Sequence, residues 1–448
     1  MENKTIRDNL LKEVAPHLER TTPAALAWIL FLLSIIGLGI YAFITQVTKG
    51  HIVTGMRDNV VWGIYIVNFI FFMGMSYAGA IISGTLQLFR TEWRKPIIRL
   101  AEYLAIISLL IGPGYILLCI GRLDRLYYLA LFGRIQSPIT WDVIAISTDI
   151  FGCLIFLYLS TLRDIANLRD FKELNLPRWR KKIYSILALG YEGTPEQEKR
   201  LKSATDIMAA MVIAIAIIVY SVLAWIFSVT LQPGWHSTIF GPYFVIAAIY
   251  SGTGVLIIAM WIFRKVYHLQ QYITRKHFVA MGVLMVVLAA LFGYFTFSDY
   301  LTKWYGSEKN DESLIKILFS QYYWPFIFSN YIGVLIPLIV VGIPKLRSIT
   351  SITISALIVI VALWFNRYLI VIPTLESPYL PIQDSRPEWL NYSATWVEYS
   401  LTAAGVALFC LLYTLASKFI PVMNVSEMAD VPGTDKTEGP FLTEESLL

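Results

Sequence analysis

Apolar stretches too long for a soluble core recur from one end of this chain to the other. Residues 64–80, 106–120 and 208–222 each run without a charged side chain. Crossing the hydrocarbon of a bilayer takes roughly 20 apolar residues of helix, and a helix satisfies its own backbone groups there. Segments of about ten residues with alternating polarity, the mark of a membrane barrel, are absent. Composition agrees: 15% of the 448 residues are charged, where soluble domains carry roughly a quarter. The chain is therefore an all-α polytopic membrane protein.

Ten spans are predicted, at 24–44, 61–88, 96–120, 139–161, 204–230, 238–263, 277–299, 321–343, 349–373 and 395–416. The side holding both termini carries 25 Lys and Arg, the opposite loops 9. The positive-inside rule places the first side, with both termini, in the cytoplasm; the expected membrane is the cytoplasmic membrane of a prokaryote. The loop 162–203, with ten basic residues and Trp179, is expected to lie partly along the membrane surface. Trp62, Trp141, Trp235, Trp324, Trp389 and Trp396 crowd the span boundaries as an aromatic belt. The two longest outer loops, 300–320 and 374–394, read as docking surfaces. The polar residues after Pro421 read as a tail that docks on a partner or stays mobile. The first 23 residues, with Lys4, Arg7, Lys12 and Arg20, do not read as a cleavable signal.

At an offset of 178 residues, Trp62, Gly63 and Tyr65 lie over Phe240, Gly241 and Tyr243, and Val67 and Gly74 over Val245 and Gly252. Both segments run the same way through the membrane, as in a parallel repeat. The expected organisation is a cytoplasmic segment (1–23), a peripheral helix with its outer loop (24–60), a first four-helix bundle (61–230), a second (231–373), an outer loop with a tenth helix (374–416), and a cytoplasmic tail (417–448).

Several chemistries lack their residues. The five histidines, His17, His51, His236, His268 and His277, avoid mid-membrane, so the axial pair of a transmembrane haem is missing. Cys119, Cys153 and Cys410 cannot ligate a four-cysteine cluster. No P-loop or dinucleotide-binding glycine motif occurs. No resident haem, iron–sulfur cluster, flavin or metal is expected. A net charge of +5, scattered along the chain, does not suggest nucleic acid.

Ionisable residues inside spans are costly and mark function by default. Asp149 lies about 15 Å into span 4. It reads either as a hydrogen-bonded carboxyl within the bundle or as a step in a proton path, for which Glu102 near the inner end of span 3 is the second candidate. Between spans 3 and 4, Gly121, Arg122, Asp124 and Arg125 precede Ser137, Pro138, Trp141 and Asp142. Asp142 at a helix start suits a capping carboxylate. Two arginines, two carboxylates and aromatics at one rim also suit a polar ring headgroup and its proton. Tyr65 and Asn68 of span 2 reach the same level. Residues 74–79 form a small-residue face for close packing. Asp299, Arg367 and Glu398 are the second-bundle polar candidates, for a second site or for stability.

Val61, Trp62, Gly63 and Tyr65, running into Gly74, Ser76 and Gly79, together with Gly121–Arg125 and Trp141-Asp142, resemble the NrfD/PsrC family, the membrane subunits of polysulfide reductase-like complexes. In the second half, Phe240-Gly241-Pro242-Tyr243, Asn366-Arg367-Tyr368, Trp396-Val-Glu398 and the stretch from Pro421 to Glu427 resemble its ten-helix branch, which includes the DsrP and HmcC subunits and the NrfD-like subunits of alternative complex III.

The resemblance implies a subunit that exchanges electrons between a membrane quinone, usually menaquinone, and a ferredoxin-like iron–sulfur subunit on the outer face. Further redox subunits (cytochrome c, molybdopterin or heterodisulfide-reductase-like), other membrane subunits and lipid are implied partners. The quinone site is expected in the first bundle near Tyr65, Asp142 and the Arg122–Arg125 loop. Where some relatives carry a histidine, this chain has Cys119, so Asp142 is the expected proton acceptor. A secondary transporter also fits ten spans, a repeat and buried charges. Against it, the repeat is parallel, no Pro or Gly is expected to break a span at mid-membrane, and the polar groups gather at one rim. A purely structural anchor for redox subunits is the third reading.

Overall fold

The computed structural model describes residues 2–89, 92–171, 173–306, 308–377 and 391–429. Ten helices are long and apolar enough to cross a membrane. Spans 1 to 10 are Pro23–Lys49, Gly63–Phe89, Ile98–Ile120, Pro138–Asp170, Pro195–Ser228, Phe240–Val266, Arg275–Gly306, Tyr323–Val341, Ile349–Leu375 and Trp396–Phe419. Spans 4 and 5 each extend about three turns past their predicted ends, because their polar extensions stay helical. A Thr194–Gln197 capping box starts span 5. The termini and the Lys/Arg-rich connections share one end, called the basic end below; the other is called the rim.

Span 2 is the hub. It packs on spans 3, 5, 6 and 9, and its central window is 89% buried. Spans 2, 3, 4 and 5 touch in a ring, and spans 6, 7, 8 and 9 in another. The small residues singled out in span 2 explain how the rings meet. A Cβ on Gly252 would lie 2.1 Å from Ala78 Cβ, and one on Gly74 would lie 3.5 Å from Ala248 Cβ. A Gly-xxx-Ala stripe on span 2 thus lies along an Ala-xxx-Gly stripe on span 6, letting the two backbones approach closely.

Span 1 packs mainly on span 10, and span 10 on span 3. Tyr115 of span 3 donates to the carbonyls of Leu401 and Thr402 at 3.3 and 3.2 Å. Tyr103 donates to the Ile420 carbonyl at 3.0 Å.

Span 8 departs from expectation. Two π-turn stretches, Phe328–Ile332 and Pro337–Val341, flank helical Gly333–Ile336. Pro337 has no N–H to give an intrahelical bond, and π-turns re-route the ladder around such positions. The Tyr250 hydroxyl donates to the Gly333 carbonyl at 2.6 Å. Span 8 is irregular but remains one continuous helix across Tyr323–Val341.

Outside the spans, four of the remaining helices among the described residues frame the two ends. The N-terminal helix Glu2–Glu19 packs on the short closing helix Val425–Ala429. In the loop after span 4, Arg178–Leu187 exposes Trp179 and Ile186 beside its basic residues, as an interfacial helix does. In the loop 300–320, Lys309–Ser320 buries Leu314 and Leu318 against its own chain, so only part of that loop is free for docking. The stretch after Pro421 likewise packs on the chain, with Val422, Met423, Val425 and Met428 buried. Trp389 and most of 374–394, and the tail beyond 429, lie outside the described residues.

Candidate functional site

The rim candidates separate into two groups, one on each side of span 2. Tyr65, fully buried, donates to Gln46 Oε1 at 2.6 Å, and Gln46 Nε2 donates to the Leu118 carbonyl at 2.9 Å. Asn68 donates to Thr402 at 2.8 Å and accepts from Trp364 Nε1 at 3.0 Å. These two residues look toward spans 1, 9 and 10. Glu398 belongs to this side too. Its Oε2 accepts from the backbone N–H of Gly55 at 2.7 Å and of Thr395 at 2.9 Å, and its Oε1 from Tyr392 Oη at 2.6 Å. Tyr392 in turn accepts from the Ile64 N–H at 2.9 Å. Gly63 makes this knot feasible. Its φ is +50°, and a Cβ there would stand 2.8 to 2.9 Å from Tyr392 Oη and Glu398 Oε1. Glu398 thus ties the loop after span 1 to span 10, with no contact to the Asp299 or Arg367 surroundings among its hydrogen bonds.

Cys119 gives its thiol to the Tyr115 carbonyl at 3.2 Å. Two residues on, Gly121 faces a histidine that is not among the sequence candidates: a Cβ on Gly121 would stand 3.1 Å from His51 Nε2. Burial lowers the His51 pKa below its ordinary value, with the Glu398 carboxylate opposing. No local signal marks His51, because it reaches the rim from the loop after span 1.

The second group turns toward span 4. Asp142 is half-buried and makes no side-chain hydrogen bond or ion pair among the described residues. Asp149 is 1% exposed; its Oδ1 accepts from the Cys153 thiol at 3.5 Å, and its Oδ2 has no partner. The buried hydroxyl of Tyr77 on span 2, also without a partner, lies within electrostatic reach of both carboxyls. Tyr77 stacks obliquely on Tyr220 of span 5, ring centroids 4.9 Å apart. Buried polar groups are nearly always satisfied, so these two orphan atoms are the polar positions of this region that packing leaves unanswered.

The Arg122–Arg125 loop stands apart. Arg122 forks onto Asp124 at 3.0 and 2.9 Å with both side chains exposed, and that hydrogen bonding holds the Asp124 carboxyl below its ordinary pKa. Arg125 is exposed. Trp141 gives its Nε1–H to the Ile135 carbonyl at 2.5 Å. Among the described residues no hydrogen bond or ion pair joins this loop to Asp142 or Tyr65.

Toward the basic end, Glu102 is part of a buried charge cluster. Arg99 reaches Glu102 Oε2 and Asp164 Oδ2, each at 2.9 Å, and donates to Ser160 Oγ at 2.8 Å. Asp164 Oδ1 also accepts from the Ser426 N–H at 2.9 Å. Glu102 Oε1 has no partner. Asp164 escapes a reading of the sequence because the predicted span 4 ends at 161, and because its partner Ser426 arrives from 262 residues along the chain.

Of the second-half candidates, Asp299 is paired with Lys303 at 2.5 Å and accepts from Ser237 at 2.8 Å. Arg367 is fully buried without a carboxylate partner among the described residues. Its guanidinium lies 4.6 Å from the Phe244 ring centre and touches Asn366 Oδ1 only at 3.5 Å. Asn366 donates to Tyr243 Oη at 2.7 Å. At the rim, His236, Glu308 and Asp311 bring potential ligand atoms within 4.8 Å of one another. They stand at the start of Lys309–Ser320, where the helix dipole disfavours a cation, and Asp311 already accepts from the Gly234 N–H at 3.0 Å.

The chain is similar to three curated proteins. Over 233 residues it is 31% identical to a dimethyl sulfoxide reductase membrane subunit of Halobacterium salinarum, a match covering 51% of this chain and about half (49%) of that relative. Over 420 residues it is 23% identical to the Hdr-like menaquinol oxidoreductase integral membrane subunit of Archaeoglobus fulgidus, covering 90% of this chain and 96% of that one. Over 402 residues it is 19% identical to a selenate reductase subunit of Mesobacillus selenatarsenatis, covering 86% and 92%. All three are subunits of oxidoreductases by name. The family model described as polysulphide reductase, NrfD, matches residues 52–377, which takes in spans 2 to 9 and nearly every candidate above. The chain belongs to the NrfD polysulphide reductase family.

Proposed function

We propose that this chain is the quinone-handling membrane subunit of a respiratory oxidoreductase complex. It exchanges electrons between menaquinol and an iron–sulfur subunit seated on the rim. The basic end faces the cytoplasm, as the distribution of Lys and Arg favours, and the membrane is the cytoplasmic membrane of a prokaryote. Oxidising a quinol releases two electrons and two protons. The electrons leave through the iron–sulfur partner, and the protons need acceptors on this chain. The observation that carries the reading is the pair of unsatisfied groups between spans 2 and 4. Asp142 offers a free carboxyl at membrane-edge depth. Asp149 and the Tyr77 hydroxyl lie deeper on spans 4 and 2 and would take the proton inward or hand it back. The Arg99–Glu102–Asp164 cluster is the continuation toward the basic end, where Glu102 has a free oxygen. We read the two helix rings as two four-helix modules. The first holds the quinone and the second, around Arg367 and Asp299, supports it.

Asp142→Asn tests this in the intact complex. The expected result is a loss of menaquinol turnover of at least about a hundredfold, within the ordinary range for a positioned acid–base group, with the iron–sulfur subunit still bound. Normal turnover would remove Asp142 from the mechanism. A second reading is favoured by one observation: His51 lies against Gly121, beside Cys119. On that reading His51 takes the proton, and His51→Gln rather than Asp142→Asn abolishes turnover. A chain that only anchors its partners would leave cluster reduction by quinol unchanged in both variants.

A further inference from the structure

A cavity of about 570 Å³ opens at the basic end, between the connection of spans 2 and 3, the end of span 4 and the first turns of span 5. None of the groups proposed to handle quinone lines it; Ser160, on its wall, accepts from Arg99. The acidic side chains around it are already engaged. Glu427 is paired with Arg94 at 2.8 Å and Glu198 with Arg163 at 3.2 Å, and Asp206 accepts from Gln87 at 3.0 Å. Three lysines on its wall, Lys95, Lys199 and Lys202, make no ion pair or hydrogen bond among the described residues. Arg94, 7% exposed, also lines the cavity and is held by Gln87 Oε1 at 2.5 Å and Glu427 at 2.8 Å. Five cationic side chains line the cavity, Arg94, Lys95, Arg163, Lys199 and Lys202, against the three carboxylates of Glu198, Asp206 and Glu427, so it suits an anion with several acceptor oxygens. The neighbouring surface says which kind. The next turns of the same two helices toward the membrane interior leave Leu154 and Ile155 of span 4 and Ile207 and Met211 of span 5 exposed. A polar, cationic cavity adjoining exposed apolar helix is the environment of a phospholipid, headgroup in the cavity and acyl chains along the helices.

We propose that the cavity binds the phosphate of an anionic phospholipid, held by Lys95, Lys199 and Lys202. This stands independently of the quinone reading. The test uses the full chain with its bound subunits, reconstituted in phosphatidylcholine nanodiscs and titrated with phosphatidylglycerol, with bound lipid counted by native mass spectrometry. The expected result is one tightly held phosphatidylglycerol per chain. K95Q/K199Q/K202Q should weaken it on the order of a hundredfold, and K95R/K199R/K202R should retain it. The surface triple R178Q/K181Q/K182Q, on the interfacial helix, should leave it unchanged. Undiminished binding in the glutamine variant, or equal loss in the arginine variant, overturns the proposal. Inorganic phosphate that occupies the cavity at millimolar concentration while phosphatidylglycerol fails to compete would assign the same phosphate chemistry to a soluble anion and overturn the lipid assignment.

Discussion

Two buried arginines show how the value of a charge depends on what answers it. Arg99 is shared by two carboxylates, so Arg99→Met leaves Glu102 and Asp164 facing each other without a cation. That should destabilise the fold by about 3–5 kcal/mol, read as a lower unfolding temperature in detergent. Arg367 meets only an aromatic face and a long contact to Asn366. Arg367→Met strands no carboxylate and should cost less than half as much; an equal loss in both variants would show that Arg367 has a partner the hydrogen bonds do not reveal. His51 carries a prediction in pH. Its burial lowers the pKa below 6.5, so the ring is neutral at pH 7 and loses its ability to accept a proton only as pH falls below that value. If His51 takes the quinol proton, turnover falls on an acid limb centred below pH 6.5, and His51→Gln removes that limb. A wild-type profile with no acid limb below pH 6.5 would exclude it. Asp142 and Asp149 could be found in the sequence because a carboxyl inside an apolar run is visible by itself. His51, Tyr77 and Asp164 could not, because each matters only through a residue brought to it by folding.

At the level of helices, the sequence carried most of what was needed. Ten apolar runs gave ten spans, and the largest boundary errors lie where polar helix continues past the apolar run, in spans 4, 5 and 7. The irregular path of span 8 was hidden, because a proline within an apolar run does not announce whether the helix kinks, breaks or takes a π-turn. The small-residue stripe of span 2 was legible as a packing face, while its partner stripe on span 6 emerged only in the structure. That contact makes a sharp prediction. Gly252→Leu drives a side chain into Ala78, where even a Cβ would come within 2.1 Å. Overpacking of this kind costs typically about 1–3 kcal/mol and more when backbones must part. The variant should unfold at lower denaturant than wild type, and Ala78→Gly in the same chain should recover part of the loss. If Gly252→Leu is neutral, spans 2 and 6 do not approach as described.

The whole molecule raises the question of what spans 1 and 10 are for. The NrfD match begins at residue 52 and ends at 377, leaving both spans outside. They are lipid-facing over most of their length, with only 17% and 33% of their central windows buried, so area alone would make them dispensable. The polar groups argue otherwise. Span 10 and the loop before it receive or supply the hydrogen bonds of Asn68, Tyr115 and the Ile64 N–H, and Gln46 of span 1 holds the Tyr65 hydroxyl. A chain limited to 52–377 would keep the family core yet leave these groups without partners at the level of the rim. Each orphan costs about 1–3 kcal/mol, and four of them rival the roughly 5–15 kcal/mol that typically holds a whole domain together. The truncated chain should therefore reach the membrane but fail to give a monodisperse peak in size-exclusion chromatography. Co-expressing residues 391–429 as a separate piece should restore it only in part, since Gln46 of span 1 still has to meet the Tyr65 hydroxyl and the Leu118 carbonyl. A well-behaved 52–377 fragment would show instead that the two outer helices are additions whose polar contacts the core can replace with water.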